Sequence, residues 1–146
     1  MIASRWGVTP RQSVEDLCRR LGTKSVVAHC VGILDRGEVD EETLLALAGP
    51  AAEQVLQGRE GGLEGYWPRV WAMRGFLYAW NETAVPSVIA GAEDAHWRVR
   101  EMSAKVVARH QVADAVDAMA ALLKDPVPRV RTVADRALVR LAEYGI

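Results

Sequence analysis

Part of this chain reads twice. Displaced by 31 residues, AVPSVIAGAEDAHWRVR lies over AVDAMAALLKDPVPRVR, so that Ala84 meets Ala115, Val85 meets Val116 and Asp94 meets Asp125. Arg98, Val99 and Arg100 fall on Arg129, Val130 and Arg131. The register holds further on, with Val99, Met102, Val106 and Val107 over Val130, Val133, Ala137 and Leu138. These positions recur at i, i+3, i+7 and i+8, the buried stripe of an amphipathic helix. A displacement of 29 brings in an earlier copy, Arg69-Val70, Met73 and Leu77 over Arg98-Val99, Met102 and Val106. A unit this short cannot bury its stripe alone, so successive units must stack side by side.

The rest of the chain is helical in pattern too. Strand signals are nearly absent: there is one Phe, no alternating β-branched run and no Asn-Gly or Asp-Gly turn. Ser13-Val14-Glu15-Asp16 predicts a helix start, and Gly22 after Arg19, Arg20 and Leu21 predicts its stop. A second helix is expected from Lys24 to Asp35, closed by Arg36 and Gly37. Asp40, Glu41 and Glu42 open LLALAG, and Gly49-Pro50 breaks or kinks the helix before AAEQVLQG. The glycine-rich stretch 59–65 reads as a loop and a hinge. Five helices follow: YWPRVWAMRGFLYAW, TAVPSVIAGAED, HWRVREMSAKVVARH, ADAVDAMAALLKD and PRVRTVADRALVRLAEY.

The spacing of Pro86, Asp94, Val99 and Arg100 resembles a HEAT repeat, with proline in the first helix, aspartate in the turn and Val-Arg opening the second helix. The second copy keeps Asp125, Val130 and Arg131 and has Asp117 in place of the proline. The resemblance covers residues 66–144, with 13–58 as degenerate helix pairs. It implies an all-α fold, a right-handed α-solenoid of about seven to eight helices, forming one domain over residues 1–146. The first helix of each pair would line a convex side and the second a concave side. The same resemblance implies a structural ladder in which Asp94, Arg100, Asp125 and Arg131 pair within and between repeats.

Charge sorts by helix type. Over 97–110, Arg98, Arg100, Lys105 and Arg109 stand against Glu101, a net +3. Over 128–141, Arg129, Arg131, Arg136 and Arg140 stand against Asp135, again +3. Helix 66–80 adds Arg69 and Arg74. The first-type segments are acidic: Glu82, Glu93 and Asp94 in one, Asp114, Asp117 and Asp125 against Lys124 in the other. A formal net charge of −1 therefore averages a basic surface and an acidic one. With Arg100 and Arg131 given to the ladder and Arg109 and Arg140 suited to helix C-termini, Arg69, Arg98 and Arg129 form a repeat-aligned series, with Lys105 and Arg136 beyond.

Trp67, Trp71, Arg74 and Tyr78 are spaced i, i+4, i+7 and i+11 and share one face of the expected helix 66–80. Trp97 opens the next second-type helix. In the register Arg74 falls on Ser103 and Ala134, packed positions, so its guanidinium must find acceptors or open to a groove. Trp80 reads as core. Aromatic residues with arginine beside a basic series are the composition of a binding hot spot. The expected partner face is Trp67, Arg69, Trp71, Arg74, Tyr78, Trp97, Arg98, Glu101, Lys105, Arg129 and Arg136, anchored by Trp67, Trp71 and Arg74, with Arg98 and Arg129 setting on-rate and salt dependence.

No phosphate loop, dinucleotide fingerprint or nucleophile elbow is present. Cys18 and Cys30 lie twelve apart without a C-x-x-C, and with His29 they form no recognisable metal motif. Neither catalytic residues, cofactor nor metal is expected. The resulting expectation is a cytoplasmic, non-catalytic scaffold or adaptor, a monomer or weak homodimer, docking an acidic protein segment and no membrane. The alternative is nucleic-acid binding. The resemblance extends there to alkylpurine DNA glycosylases, whose catalytic Asp would have to be sought at Glu101 or Asp135, and more distantly to phycobilin lyases.

Overall fold

A computed structural model describes residues 8–57 and 65–145. Its described residues form nine α-helices and no strand: α1 (Pro10–Leu21), α2 (Thr23–Arg36), α3 (Glu41–Ala48), α4 (Pro50–Leu56), α5 (Trp67–Gly75), α6 (Val85–Gly91), α7 (Trp97–His110), α8 (Val116–Leu122) and α9 (Pro128–Glu143). The number exceeds the expected seven to eight because Gly49-Pro50 cuts the third helix in two. The chain divides into two compact units, Met1–Ala84 and Val85–Ile146. The expected hinge at 59–65 lies outside the described residues except for Gly65.

In the first unit, α1 begins earlier than Ser13. Thr9 caps it through a reciprocal box, the Gln12 N–H donating to Thr9 Oγ1 (3.1 Å) and the Thr9 N–H to Gln12 Oε1 (2.9 Å). Pro10 then occupies the first turn, where its missing N–H costs nothing. Ser13 instead ties α1 to α3, its hydroxyl donating to the Ala46 carbonyl in the last turn of that helix (2.7 Å). That carbonyl's ordinary i+4 donor would be residue 50, which is proline and has no N–H.

Helix α2 ends at Gly37 in the left-handed region (φ 65°), which lets the Glu38 N–H reach back to Gly32 O. Val14, Leu17, Val26, Val27, Cys30, Ile33, Leu44, Leu47, Met73 and Phe76 are buried and form the core. Helix α5 approaches closely at Gly75, where an added Cβ would stand 2.7 Å from Leu47 Cδ2 and 3.2 Å from Cys30 Sγ. The α-helix stops there instead of running to residue 80. Phe76, Leu77 and Tyr78 continue in i→i+3 turns, their N–H groups bonding Met73, Arg74 and Gly75 carbonyls.

The second unit contains the two matching hairpins, α6 with α7 and α8 with α9. Of the eight positions in the repeated apolar stripe, Val99, Val106, Val107, Val130, Val133 and Ala137 are buried, and Met102 and Leu138 half-buried. Each hairpin turns on its aspartate: Asp94 Oδ1 accepts from the His96 N–H (2.8 Å) and Asp125 Oδ1 from the Val127 N–H (2.9 Å). Arginine then ties turn to helix. Arg100 donates through Nη1 to Asp94 O (2.9 Å), and Arg131 through Nη1 to Asp125 O (2.7 Å). The rest of the Arg100 fork crosses to the next hairpin, Nε to Asp125 Oδ2 (2.6 Å) and Nη2 to Asp125 Oδ1 (3.2 Å). Helices α7 and α9 make the most extensive helix packing among the described residues. The 31-residue register is thus held by the aspartate–arginine ladder as well as by the buried apolar stripe.

Candidate functional site

The outer surface of the α7/α9 layer follows from helix geometry. Arg98, Lys105 and Arg109 are spaced i, i+7 and i+11 on α7, and Arg129, Arg136 and Arg140 repeat that spacing on α9. Residues seven and eleven apart return to nearly the same helix angle. The packed helices therefore carry two parallel cationic rows. Arg109, Arg129, Arg136 and Arg140 are exposed, Arg98 and Lys105 half-buried. Arg140 also lies 6.0 Å from the Tyr144 ring centroid.

Trp97 anchors the N-terminal end of both rows. The guanidinium carbon of Arg98 lies 4.5 Å from its ring centroid and that of Arg129 lies 5.3 Å away, both within cation–π range. The His96 ring stacks beside it at 6.0 Å, and His96 Nδ1 accepts the Arg98 N–H (3.2 Å) to cap α7. Glu101, expected on the partner face, is turned away from solvent. It is buried, and its carboxylate receives Arg129 Nε at 3.1 Å, fixing Arg129 while leaving two-thirds of that side chain accessible. Two cations from consecutive hairpins thus share one tryptophan.

The other aromatic group, in the first unit, is built differently. Trp67 and Trp71 stack at 6.3 Å with 23° between their planes and, with Ala51 and Gln54 of α4, line an open hollow of about 290 Å³. Trp71 is buried. Arg74 turns inward and donates Nη2 to Leu47 O at 2.5 Å, a carbonyl at the α3 C-terminus. Burial pulls its guanidinium below the ordinary range, the Tyr78 hydroxyl opposing this. Ser103, at the matching repeat position, behaves alike, donating to Val88 O at 2.7 Å. Arg74 is therefore a helix-capping residue of the first unit. Tyr78 lies beyond the end of α5, in the turns, and Arg69 donates Nη1 to Gly65 O (3.2 Å). Trp67, Arg69, Trp71, Arg74 and Tyr78 belong to one compact unit, and Trp97, Arg98, Glu101, Lys105, Arg129 and Arg136 to the other.

At the ladder, burial alone would raise the Asp125 pKa. The hydrogen bonds from Arg100 and the Val127 N–H, with the charges of Arg100 and Arg131, hold it below the ordinary carboxylate range instead. The Cys30 thiol is pushed up to about 12, chiefly by burial and then by Cys18, which suits an inert core residue and not a ligand. Among the described residues, no group of three His, Cys, Asp or Glu side chains is placed to hold a metal. No described helix is long and apolar enough to cross a membrane.

One polar cluster escaped the sequence reading. His29 Nδ1 lies 3.0 Å from Thr43 Oγ1, which itself donates to Asp40 Oδ2, and the Thr43 N–H caps α3 on the same oxygen at 3.0 Å. The Thr43 hydroxyl holds the Asp40 carboxylate below its ordinary range against the opposing effect of burial. Asp40 was legible as a helix cap; His29, eleven residues earlier on another helix, was not.

The family model for HEAT repeats matches residues 69–143. Neither curated proteins nor solved structures give a match.

Proposed function

Because the chain belongs to the HEAT-repeat family, whose repeats generally serve protein–protein interaction, we propose that it is a non-catalytic scaffold whose α7/α9 face docks an acidic protein segment. The observation that carries this reading is the convergence of Arg98 and Arg129 on Trp97, at the head of two parallel cationic rows. The aromatic ring supplies buried area at low entropic cost, and the guanidiniums supply paired hydrogen bonds to carboxylates. Lys105, Arg136 and the residues beyond them lengthen the field and raise the encounter rate.

Phosphate backbones satisfy the same charges, so the competing occupant is nucleic acid. Base excision finds no support at the two acids available to it. Glu101 is already bound to Arg129, and Asp135, six residues after Arg129, lies on a different side of α9 from the cationic row. Titrating the full chain with a labelled glutamate-rich peptide and with labelled duplex DNA, each at low and at physiological salt, separates the occupants. Peptide binding that persists at physiological salt, with DNA bound weakly or not at all, is the expected result. A DNA affinity that exceeds the peptide's and falls steeply with salt would replace this reading with the nucleic-acid one.

A further inference from the structure

A second face of α9 has the chemistry of a contact surface. On α7, Arg100 and Glu101 reach the following hairpin and share a helix face with Ala104 and Ala108; Glu101 and Ala104 are buried. The 31-residue register maps them onto Arg131, Thr132, Asp135 and Val139, and all four are exposed. Leu123, which corresponds to buried Ala92, is 40% exposed, and Val139 is 53% exposed. Two charged groups on this face are exposed and only partly engaged within the fold. Arg131 uses only Nη1, on Asp125 O, whereas Arg100 also spends Nε and Nη2 on a carboxylate of the following hairpin. Asp135 has no hydrogen-bond or ion-pair partner among the described residues. The two are four apart on α9 with the cation first, the weaker order for an intrahelical pair.

These features define the occupant. A complementary surface brings a carboxylate to Arg131 and a cation to Asp135, with apolar atoms for Leu123 and Val139. A further hairpin in the same register meets the first demand and fails the second, because it would bury Asp135 where Ala104 lies fully covered. Helix α9 itself, run in the opposite direction, offers both charges at the required spacing. We propose that this face docks a second copy of the chain about a two-fold axis, α9 against α9, with Arg131 of each copy on Asp135 of the other. The pairing leaves the cationic rows on a different side of α9, available to the partner proposed above, so the two surfaces succeed or fail independently.

Sedimentation equilibrium of the full chain, at concentrations up to about 1 mM where weak dimers are populated, reads this directly. Wild-type protein is expected to dimerise. Arg131→Glu alone and Asp135→Arg alone are each expected to stay monomeric, since like charges then meet twice across the axis. Mixed in equal amounts, the two variants should recover the dimer. In that mixture the introduced acid faces the introduced base, and the native Asp135 of one chain faces the native Arg131 of the other. Asp135→Arg removes no hydrogen bond or ion pair among the described residues, and unchanged far-UV circular dichroism of both variants separates loss of the dimer from unfolding. A wild-type chain that remains monomeric, a dimer indifferent to both variants, or a mixture that stays monomeric would each overturn the proposal.

Discussion

Asp125 carries three duties on one carboxylate: it caps its own turn through Val127, receives the Arg100 fork from the preceding hairpin and sits beside Arg131. With the Asp125 side chain 4% exposed and Arg100 14%, this pair is sheltered enough to count. Asp125→Asn keeps the turn but removes the charge, and should cost about 1.5–3 kcal/mol, the range for a hydrogen bond to a charged group. The sign with pH follows from the depressed pKa. The unfolded chain takes up its proton first as acid is added, so the Asp125 contribution is complete above about pH 4 and is lost as pH falls through the lower folded value. Urea melts of wild type and variant should therefore differ at pH 7 and converge in acid; a gap that is unchanged at both would remove the ladder's electrostatic part. Arg74→Leu should cost a similar 1–3 kcal/mol by orphaning Leu47 O and leave peptide binding unaltered. The residue-level signal for Arg74 was partly legible: its place over Ser103 and Ala134 demanded an acceptor. Which carbonyl would answer was not legible, because the acceptor is 27 residues away and is set by packing.

Among the elements, those held by local chemistry were the readable ones. The stripe of α7 and α9 is periodic, their turns carry the aspartates, and both helices form where the pattern places them. Helices α1 and α5 were read less well, for physical reasons specific to each. Ser13 has the chemistry of a cap, but the Thr9–Gln12 box closes the helix sooner and frees Ser13 to satisfy Ala46 O across the unit. In α5 the apolar residues after Gly75 keep helical spacing, yet the backbone tightens there into i→i+3 turns. Gly75 is also where α5 meets Leu47 and Cys30 most closely. Gly75→Val should therefore destabilise the chain by about 1–3 kcal/mol through overpacking, with thermal denaturation as the measure. A neutral outcome would mean that α5 is free to shift away from α3. Ser13→Ala, which removes the hydrogen bond to Ala46 O, should cost about 1 kcal/mol by the same measure.

For the molecule as a whole the net charge is −1, and over residues 82–141 the charges sort by helix type. The first-type helices and their flanking turns carry exposed Glu82, Glu93, Asp114 and Asp117, while α7 and α9 carry the cationic rows. The alignment of Arg98 with Arg129 could be read from the repeat. That both guanidiniums reach one indole could not, because it depends on how α9 lies against α7. The aromatic group of Trp67 and Trp71 is in a separate compact unit and is no part of the central claim. That claim is tested most directly by reversing charge at the indole. In fluorescence-anisotropy titrations with a labelled glutamate-rich peptide, Arg98→Glu combined with Arg129→Glu should weaken binding at least roughly tenfold, about 1.4 kcal/mol, and flatten its salt dependence. Asp114→Lys with Asp117→Lys, on the other helix type, should leave affinity within about twofold. Equal affinity for wild type and the Arg98/Arg129 double variant would contradict the account.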